Sequence, residues 1–113
     1  MEKLEIKLLD NNKAIAYPSG RLDVAVSAEL EERLMGAVEE NSLEALVLNM
    51  ENVEYMSSSG FRVAIALLRK LSDRGGKLRI CSLKPAVKRI FDVIELTSLF
   101  EIFESEDEAI SSL

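Results

Sequence analysis

The amino-acid sequence predicts an α/β fold in which about four helices pack on a mixed sheet of about five strands, in the order β-β-α-β-α-β-α-β-α. Two observations support this prediction. The chain opens with two strand-like segments separated by a turn, and beyond them short apolar segments alternate with segments of helical periodicity. Since 48% of the 113 residues are hydrophobic, the whole chain, residues 1–113, is expected to form a single packed domain.

Five strands are predicted from their hydrophobic patterns. The first alternates apolar and charged residues, as a half-buried strand does, whereas the nearly continuous apolar run 45–50 indicates a strand that is covered on both faces. Pro18 indicates an edge or a bulge after the second strand, and residues 20–26 are predicted to be a loop. The predicted strands are residues 4–8, 14–17, 45–50, 77–83 and 102–103.

The first two helices are predicted from apolar residues three or four positions apart. The first follows Ser27 and ends at 41–42, and the second follows the serines at 57–59 and ends at Gly75–Gly76, since glycine commonly terminates helices. Their predicted core-facing residues are Leu30, Leu34 and Val38 in the first helix, and Phe61, Ala64, Ile65, Leu68 and Leu71 in the second.

Two further helices are predicted towards the end of the chain. Pro85 suits the first turn of a helix, where a missing N–H costs nothing. Ser105 and Glu108 match a capping box, which indicates a last helix that runs through Ile110. The apolar stripe of the third helix is predicted to be Val87, Ile90, Phe91 and Ile94.

Composition argues against several classes of function. The chain has no histidine, which removes Ser-His-Asp and Cys-His catalysis, phosphohistidine transfer and most catalytic zinc sites. The single cysteine, Cys81, cannot form an internal disulfide, and its apolar surroundings predict a buried core thiol. A net charge of −6 disfavours nucleic acid as a partner. We therefore expect that the protein is not an enzyme and holds no metal or cofactor.

The sequence shows no signal for the membrane or for export. No apolar run approaches the ~18 residues of a membrane span. The N-terminus alternates charged and apolar residues, unlike a signal peptide. A cytoplasmic location without direct membrane insertion is therefore expected.

Basic residues are concentrated on the second predicted helix. This distribution fits either a docking face for an acidic partner or an ordinary solvated helix face, and the sequence leaves both interpretations open. The cations are Arg62, Arg69, Lys70 and Arg74.

The sequence Ser57-Ser58-Ser59-Gly60 lies between a predicted core strand and a predicted helix. Unpaired N–H groups and the positive end of the helix dipole meet at a helix N-terminus, where negative charge is tolerated. A phosphate on one of these serines would be well placed to act as a switch. The alternative is a plain N-cap worth ~1 kcal/mol, for which Ser59 is the expected residue, with Gly60 allowing close backbone approach.

Several segments, in this order and spacing, resemble the STAS domain and in particular the bacterial anti-sigma factor antagonists. Gly20–Asp23 is similar to the family's Gly-x-Leu/Ile-Asp motif, and Val53–Phe61 is similar to its aromatic-apolar-Asp-Ser-Ser/Thr/Ala-Gly-Leu segment. Arg74–Leu78 is followed at the expected distance by Leu96–Phe103, which resembles the Leu-Thr-Gly-Leu-aromatic run before the final strand. The resemblance covers nearly the whole chain.

The resemblance implies a protein that is a substrate and a switch. In this family the unphosphorylated protein binds an anti-sigma factor that is also a serine kinase, and sigma factor is released. Phosphorylation of the antagonist, at the position of Ser58 here, ends the binding, and a PP2C-type serine phosphatase restores it. Asp23 either contributes to the partner-binding surface or holds its own loop through local hydrogen bonds. The implied partner-binding residues are Asp23, Ser57, Ser58, Ser59, Gly60 and Arg62.

The sequence departs from the family pattern at two positions. Ser57 stands where aspartate is usual, which makes Ser57 a second candidate phosphoacceptor, and Asn49 stands where aspartate is frequent at the end of the third predicted strand. An alternative function is therefore a non-switching STAS scaffold or adaptor subunit of a stress-signalling or lipid-transport complex. A third alternative, a module that binds a nucleotide or a small anion, has no Gly-rich phosphate loop to support it.

Overall fold

The computed structural model describes residues 4–93 and 99–113, which form seven strands and four helices. The strands are β1 (Glu5–Leu9), β2 (Lys13–Tyr17), β3 (Ser19–Leu22), β4 (Ala45–Asn49), β5 (Asn52–Met56), β6 (Lys77–Cys81) and β7 (Glu101–Phe103). The helices are α1 (Val24–Glu40), α2 (Ser58–Asp73), α3 (Pro85–Val93) and α4 (Glu106–Ser111).

The five predicted strands form the main sheet, in the order β1-β2-β4-β6-β7. β1 is antiparallel to β2, and the other neighbours are parallel, so the predicted mixed sheet is confirmed. Successive side chains of a strand point to opposite faces. One face, with Leu46 and Ile80, packs against α1, α2 and α3, and the other face, with Val47 and Cys81, packs against α4. The predicted burial of the Cys81 thiol is confirmed.

A second, two-stranded sheet was not expected from the sequence. β3 and β5 pair in parallel, with a register shift between Gly20 and Arg21. The prediction of a loop over 20–26 is therefore wrong, because Leu22 and its partner Met56 bury apolar side chains and draw both segments into strands. Pro18 was expected to mark an edge or a bulge, but it follows β2, an inner strand of the main sheet, and precedes β3.

Helix α1 begins at Val24, earlier than the predicted start after Ser27. The Asp23 carboxylate accepts a hydrogen bond of 3.0 Å from the Val26 N–H and caps the helix. Ser27 lies inside the helix and is only 2% exposed. The predicted core face is confirmed, since Leu30, Leu34 and Val38 are buried.

Helix α2 packs along a broader stripe than the sequence predicted. Phe61, Ala64 and Leu71 are buried as expected, but Ile65 and Leu68 are only half-buried. Val63 and Leu67 take the central positions instead, because α2 contacts both the sheet and α1. The helix ends before Gly75, whose φ of +74° is readily adopted only by glycine, so the predicted helix stop is confirmed.

Two of the four cations predicted on the second helix contact α1: Lys70, in α2, and Arg74, the C-cap residue of α2. Lys70 forms an ion pair with Glu39 of α1, and Arg74 lies 3.9 Å from the other oxygen of the same carboxylate. Arg62 and Arg69 are exposed and make no contact with Glu39. The helix is therefore less basic towards a partner than its sequence indicated.

The last two helices agree with the sequence. α3 begins at Pro85 and buries Val87 and Phe91, and the ring of Phe91 makes edge-to-face contacts with those of Phe61 and Phe100. The Ser105 hydroxyl oxygen accepts a bond of 3.2 Å from the Glu108 N–H, which confirms the predicted cap of α4. The predicted core position of Ile94 and the first three residues of the Leu96–Phe103 motif fall outside the described residues, which resume at 99.

Candidate phosphorylation and partner-binding site

The small parallel sheet brings Asp23 and Ser57 to one edge of the molecule. Leu22 and Met56 are register partners at the ends of β3 and β5. Because parallel strands end at the same edge, the residues that follow them, Asp23 and Ser57, become the N-caps of α1 and α2. Two helix N-termini thus lie side by side, each contributing the partial positive charge of its first turn.

Ser57 binds strand β3 instead of capping its own helix. Its hydroxyl donates a hydrogen bond of 2.9 Å to the Leu22 carbonyl oxygen, and its backbone N–H donates a second bond of 3.0 Å to the same oxygen. The Ser57 side chain makes no cap hydrogen bond to α2. Ser59, the expected cap, lies inside the first turn, so that prediction is wrong: the cap position belongs to Ser57.

Ser58 is the accessible hydroxyl of the cluster. It is the first residue of α2 and is exposed, whereas Ser57 and Ser59 are half-buried. Its hydroxyl has no hydrogen-bond partner among residues 4–93 and 99–113. A serine hydroxyl that is both exposed and unengaged can enter a kinase active site without loss of a contact in its own protein.

Gly60 allows α2 to approach the small sheet closely. A Cβ at this position would lie 2.8 Å from Met56 Cγ and 3.4 Å from both the Cβ and the carbonyl oxygen of Leu22. The predicted close approach is confirmed. Gly60 is buried, so its contribution to the surface is to position the serines that precede it.

Asp23 makes a local hydrogen bond and is also exposed, so both interpretations of this residue from the sequence stay open. One carboxylate oxygen is held by the Val26 N–H, and the side chain is exposed at the edge that also carries Ser58. Arg62 is exposed as well, and it lies four residues after Ser58, on the same side of α2. The structure thus brings Asp23 and the serine cluster together at the helix N-termini, with Arg62 one turn further along α2.

Sequence reasoning missed an exposed aromatic and apolar surface beside the serines. The Arg21 guanidinium lies 4.4 Å from the ring centre of Tyr55, its register partner across the small sheet. Val24, in the first turn of α1, is 70% exposed. Recognition of β3 and β5 as strands would have revealed this surface, because residues of equal register on parallel strands share a face.

Asn49 does not belong to this site. Its side chain points to the face that α4 covers, where its amide nitrogen donates a bond of 3.0 Å to a Glu106 carboxylate oxygen. The Tyr17 hydroxyl donates a bond of 2.6 Å to the same oxygen. Burial and the Glu106 carboxylate together raise the pKa of Tyr17 well above its usual range. These contacts fix the N-terminus of α4 to the sheet.

The described residues contain no group of three or more acidic, cysteine or histidine side chains that could hold a metal ion. In the same part of the chain, no helix has the length and apolar character that crossing a membrane requires. The chemistry available at the helix N-termini is therefore that of hydroxyls, one carboxylate, one guanidinium and backbone N–H groups.

Comparison with known proteins identifies the family. The model of the STAS domain matches residues 4–109, which is nearly the entire chain. The chain belongs to the STAS domain family. The sequence-based resemblance to this family is thereby confirmed.

Two relatives of this STAS domain are named as anti-sigma factor antagonists. The anti-sigma F factor antagonist of Paenibacillus polymyxa is 28% identical over 95 residues, which cover 84% of this chain and 81% of the relative. The anti-sigma-B factor antagonist of Staphylococcus aureus is 28% identical over 88 residues, which cover 78% of this chain and 81% of the relative.

Solved structures agree on the fold. An anti-sigma factor antagonist from Mycobacterium paratuberculosis is 25% identical, covers 97% of this chain and 92% of its own, and superposes with a TM-score of 0.84. The antagonist SpoIIAA in its unphosphorylated form is 17% identical, covers 97% and 96% of the two chains, and has a TM-score of 0.76. The predicted α/β fold of STAS type is confirmed.

Proposed function

We propose that this STAS domain is an anti-sigma factor antagonist of a cytoplasmic partner-switching pathway. Its unphosphorylated form binds an anti-sigma factor serine kinase and so frees sigma factor. Phosphorylation of Ser58 by that kinase releases the antagonist, and a PP2C-type serine phosphatase removes the phosphate. The domain itself is a substrate and a binding surface, with no catalytic role.

The observation that carries the proposal is the contrast between two adjacent hydroxyls. Ser58 is exposed and has no partner in the described chain, whereas Ser57 is half-buried and donates its hydroxyl proton to Leu22. Phosphorylation of Ser57 would break that bond and place a charged group next to the buried end of β3. The geometry therefore favours Ser58 as the acceptor and Ser57 as a support for the loop.

A phosphate on Ser58 is compatible with the folded domain. It would add about −1.5 to −2 charges at pH 7 at the N-terminus of a helix, where first-turn N–H groups and the helix dipole favour anions. Arg62 lies one turn away on the same side of α2. Phosphorylation should therefore act on the partner interface and leave the fold intact.

Release of the partner follows from the charges already at this edge. Asp23 is exposed at the neighbouring helix N-terminus, so the phosphate adds to an existing negative charge at the surface that the kinase covers. An interface fitted to a neutral hydroxyl would have to strip water from the phosphate and accept its repulsion from nearby acids. Ser58→Asp should accordingly weaken kinase binding while changing the free energy of unfolding by less than ~0.5 kcal/mol.

The test is phosphosite mapping by mass spectrometry after incubation with Mg-ATP and an extract of the native host. Wild type is compared with Ser58→Ala, Ser57→Ala and Ser72→Ala, the last a matched control because Ser72 is exposed near the other end of α2. We expect one phosphate, lost in Ser58→Ala alone.

Other outcomes would replace the proposal with one of the alternatives. A phosphate lost in Ser57→Ala alone would keep the switch and move its site to Ser57. No phosphate on wild type, in an extract that modifies a known antagonist, would favour the scaffold or adaptor, for which the exposed Val24 and the Arg21–Tyr55 pair offer a docking surface that needs no phosphate.

A further inference from the structure

The outer edge of the main sheet is formed by β1, which pairs with β2 on one side and with no described strand on the other. β1 and α1 together line a surface groove beside this edge. Leu8, in the groove, is 58% exposed. A strand edge with unpaired backbone groups and exposed apolar side chains is a template for pairing with another strand. The edge therefore offers both hydrogen bonds and apolar surface to a partner.

Gly36 lines the same groove from the interior of α1. A Cβ built on Gly36 meets no atom within 4 Å, so no packing in the described chain requires glycine there. Glycine inside a helix is destabilising relative to alanine. A second surface that approaches α1 closely at this point would account for the residue.

The charges of β1 select a second copy of the same strand as that partner. Two β1 strands related by a two-fold axis pair antiparallel, and a continuous sheet requires residues of the same face to lie opposite each other. Pairing centred on Ile6 sets Glu5 of each copy opposite Lys7 of the other, and sets Leu8 opposite Leu4. Pairing centred on Glu5 or on Lys7 would instead set like charges opposite each other, which is destabilising.

Both charges are available for this pairing. Glu5 and Lys7 lie opposite Tyr17 and Ile15 in β2, and neither takes part in an ion pair within residues 4–93 and 99–113. Across a symmetric dimer each forms one opposite-charge pair, so the contact occurs twice.

We propose that β1 is a self-association edge, at which two copies of this chain pair antiparallel about Ile6 and bring the Gly36 sides of their α1 helices together. The main sheet then continues across the dimer. Ser58 lies at the N-terminal end of α2, and the groove beside β1 is lined by residues of β1, of α1 and of the α1 C-cap, so the proposed phosphorylation site is not part of this groove. The inference is independent of the function of that site.

Sedimentation of the full chain, from micromolar to millimolar protein concentration, measures self-association. Variants in which one charge of β1 is reversed test whether association takes place through this strand. Wild type should show a concentration-dependent dimer. Glu5→Lys or Lys7→Glu alone sets like charges opposite each other twice and should weaken association roughly tenfold or more. An equimolar mixture of the two variants restores both opposite-charge pairs, so the mixture should associate as tightly as wild type. Lys77→Glu, a reversal on the inner strand β6, serves as the control and should leave association unchanged.

Gly36→Gln gives a second test, because it should change the affinity of the dimer and the thermal stability of the monomer in opposite directions. Its side chain should obstruct the approach of the second α1 and weaken the dimer, while a better helix former should raise the thermal stability of the monomer at low concentration. A wild type that stays monomeric throughout this range would overturn the proposal. So would a mixture of Glu5→Lys and Lys7→Glu that associates no better than either variant alone while both are folded by circular dichroism.

Discussion

The Ser57 hydroxyl donates a hydrogen bond of 2.9 Å to the carbonyl oxygen of Leu22, so the residue at the N-cap of α2 joins that helix to β3. An aspartate at this position, as is usual in the family, would accept hydrogen bonds from the first turn of the helix instead. With serine in place of aspartate, the side chain of residue 57 does not cap α2 and instead forms a hydrogen bond between α2 and β3. It also leaves the N–H groups of the first turn without a side-chain acceptor from the cap residue.

Ser57→Asp is expected to stabilise the domain by ~0.5–1 kcal/mol, because an N-cap carboxylate binds first-turn N–H groups and lies at the positive end of the helix dipole. The backbone N–H of residue 57 donates to the Leu22 carbonyl oxygen at 3.0 Å, and this bond remains in the variant. The connection between α2 and β3 is therefore only partly lost. Urea unfolding measures the change, with Ser57→Asn as the matched variant that caps without charge. A Ser57→Asp protein no more stable than Ser57→Ala would contradict the capping argument.

Gly60→Ala and Gly36→Ala are expected to change stability in opposite directions. At Gly60 the new methyl group would lie 2.8 Å from Met56 Cγ, so the Met56 side chain must shift, at a cost of roughly 1–2 kcal/mol. At Gly36 it meets nothing within 4 Å, and the better helix former should gain ~0.5–1 kcal/mol. Denaturant unfolding of both variants, at a concentration where the chain is monomeric, checks the two signs. Equal effects would show that helix propensity alone governs both positions.

The sequence was sufficient where a pattern is local. The alternation in β1, the continuous apolar run of β4, the first-turn proline of α3 and the Ser105 cap of α4 each depend on a few neighbouring residues, and the corresponding elements lie where they were predicted. β3 and β5 were missed because their stability comes from each other: Leu22 and Met56 are register partners although they are far apart in sequence.

The candidate site was predicted only in outline, because its residues lie in local motifs but its geometry depends on contacts between segments far apart in sequence. The motifs identified Asp23 and the serines, but the sequence could not show that two helices begin side by side, since that depends on the parallel pairing of β3 with β5. The cap was assigned to Ser59 because three consecutive serines are equivalent by propensity. The tertiary contact with Leu22 decides between them.

Asn49→Asp is expected to destabilise the domain by roughly 1–3 kcal/mol at neutral pH. The amide nitrogen that donates to Glu106 at 3.0 Å would be replaced by a carboxylate oxygen, which removes a donor and brings two negative charges together. Repulsion raises the pKa of the new carboxyl above its unfolded value, so the deficit should shrink as the pH falls and the pair takes up a proton. Urea unfolding at neutral and mildly acidic pH measures this change. Asn52→Asp, at the exposed first position of β5, is the control and should stay within ~0.5 kcal/mol of wild type.

Phosphorylation of Ser58 is expected to stabilise the isolated domain by ~0.3–1 kcal/mol, part of it through Arg62. Ser58 and Arg62 are four residues apart on α2, a spacing at which oppositely charged side chains attract each other. Unfolding of the phosphorylated and unphosphorylated forms, each as wild type and as Arg62→Gln, gives a double-mutant cycle with an expected coupling of ~0.3–0.5 kcal/mol. Arg69→Gln is the matched control, because Arg69 is exposed on the same helix but lies beyond the reach of the phosphate, and its coupling should be near zero.

High salt should reduce the Arg62 coupling, since an exposed ion pair is screened. Equal coupling at the two arginines would show that the phosphate is stabilised by the helix N-terminus alone.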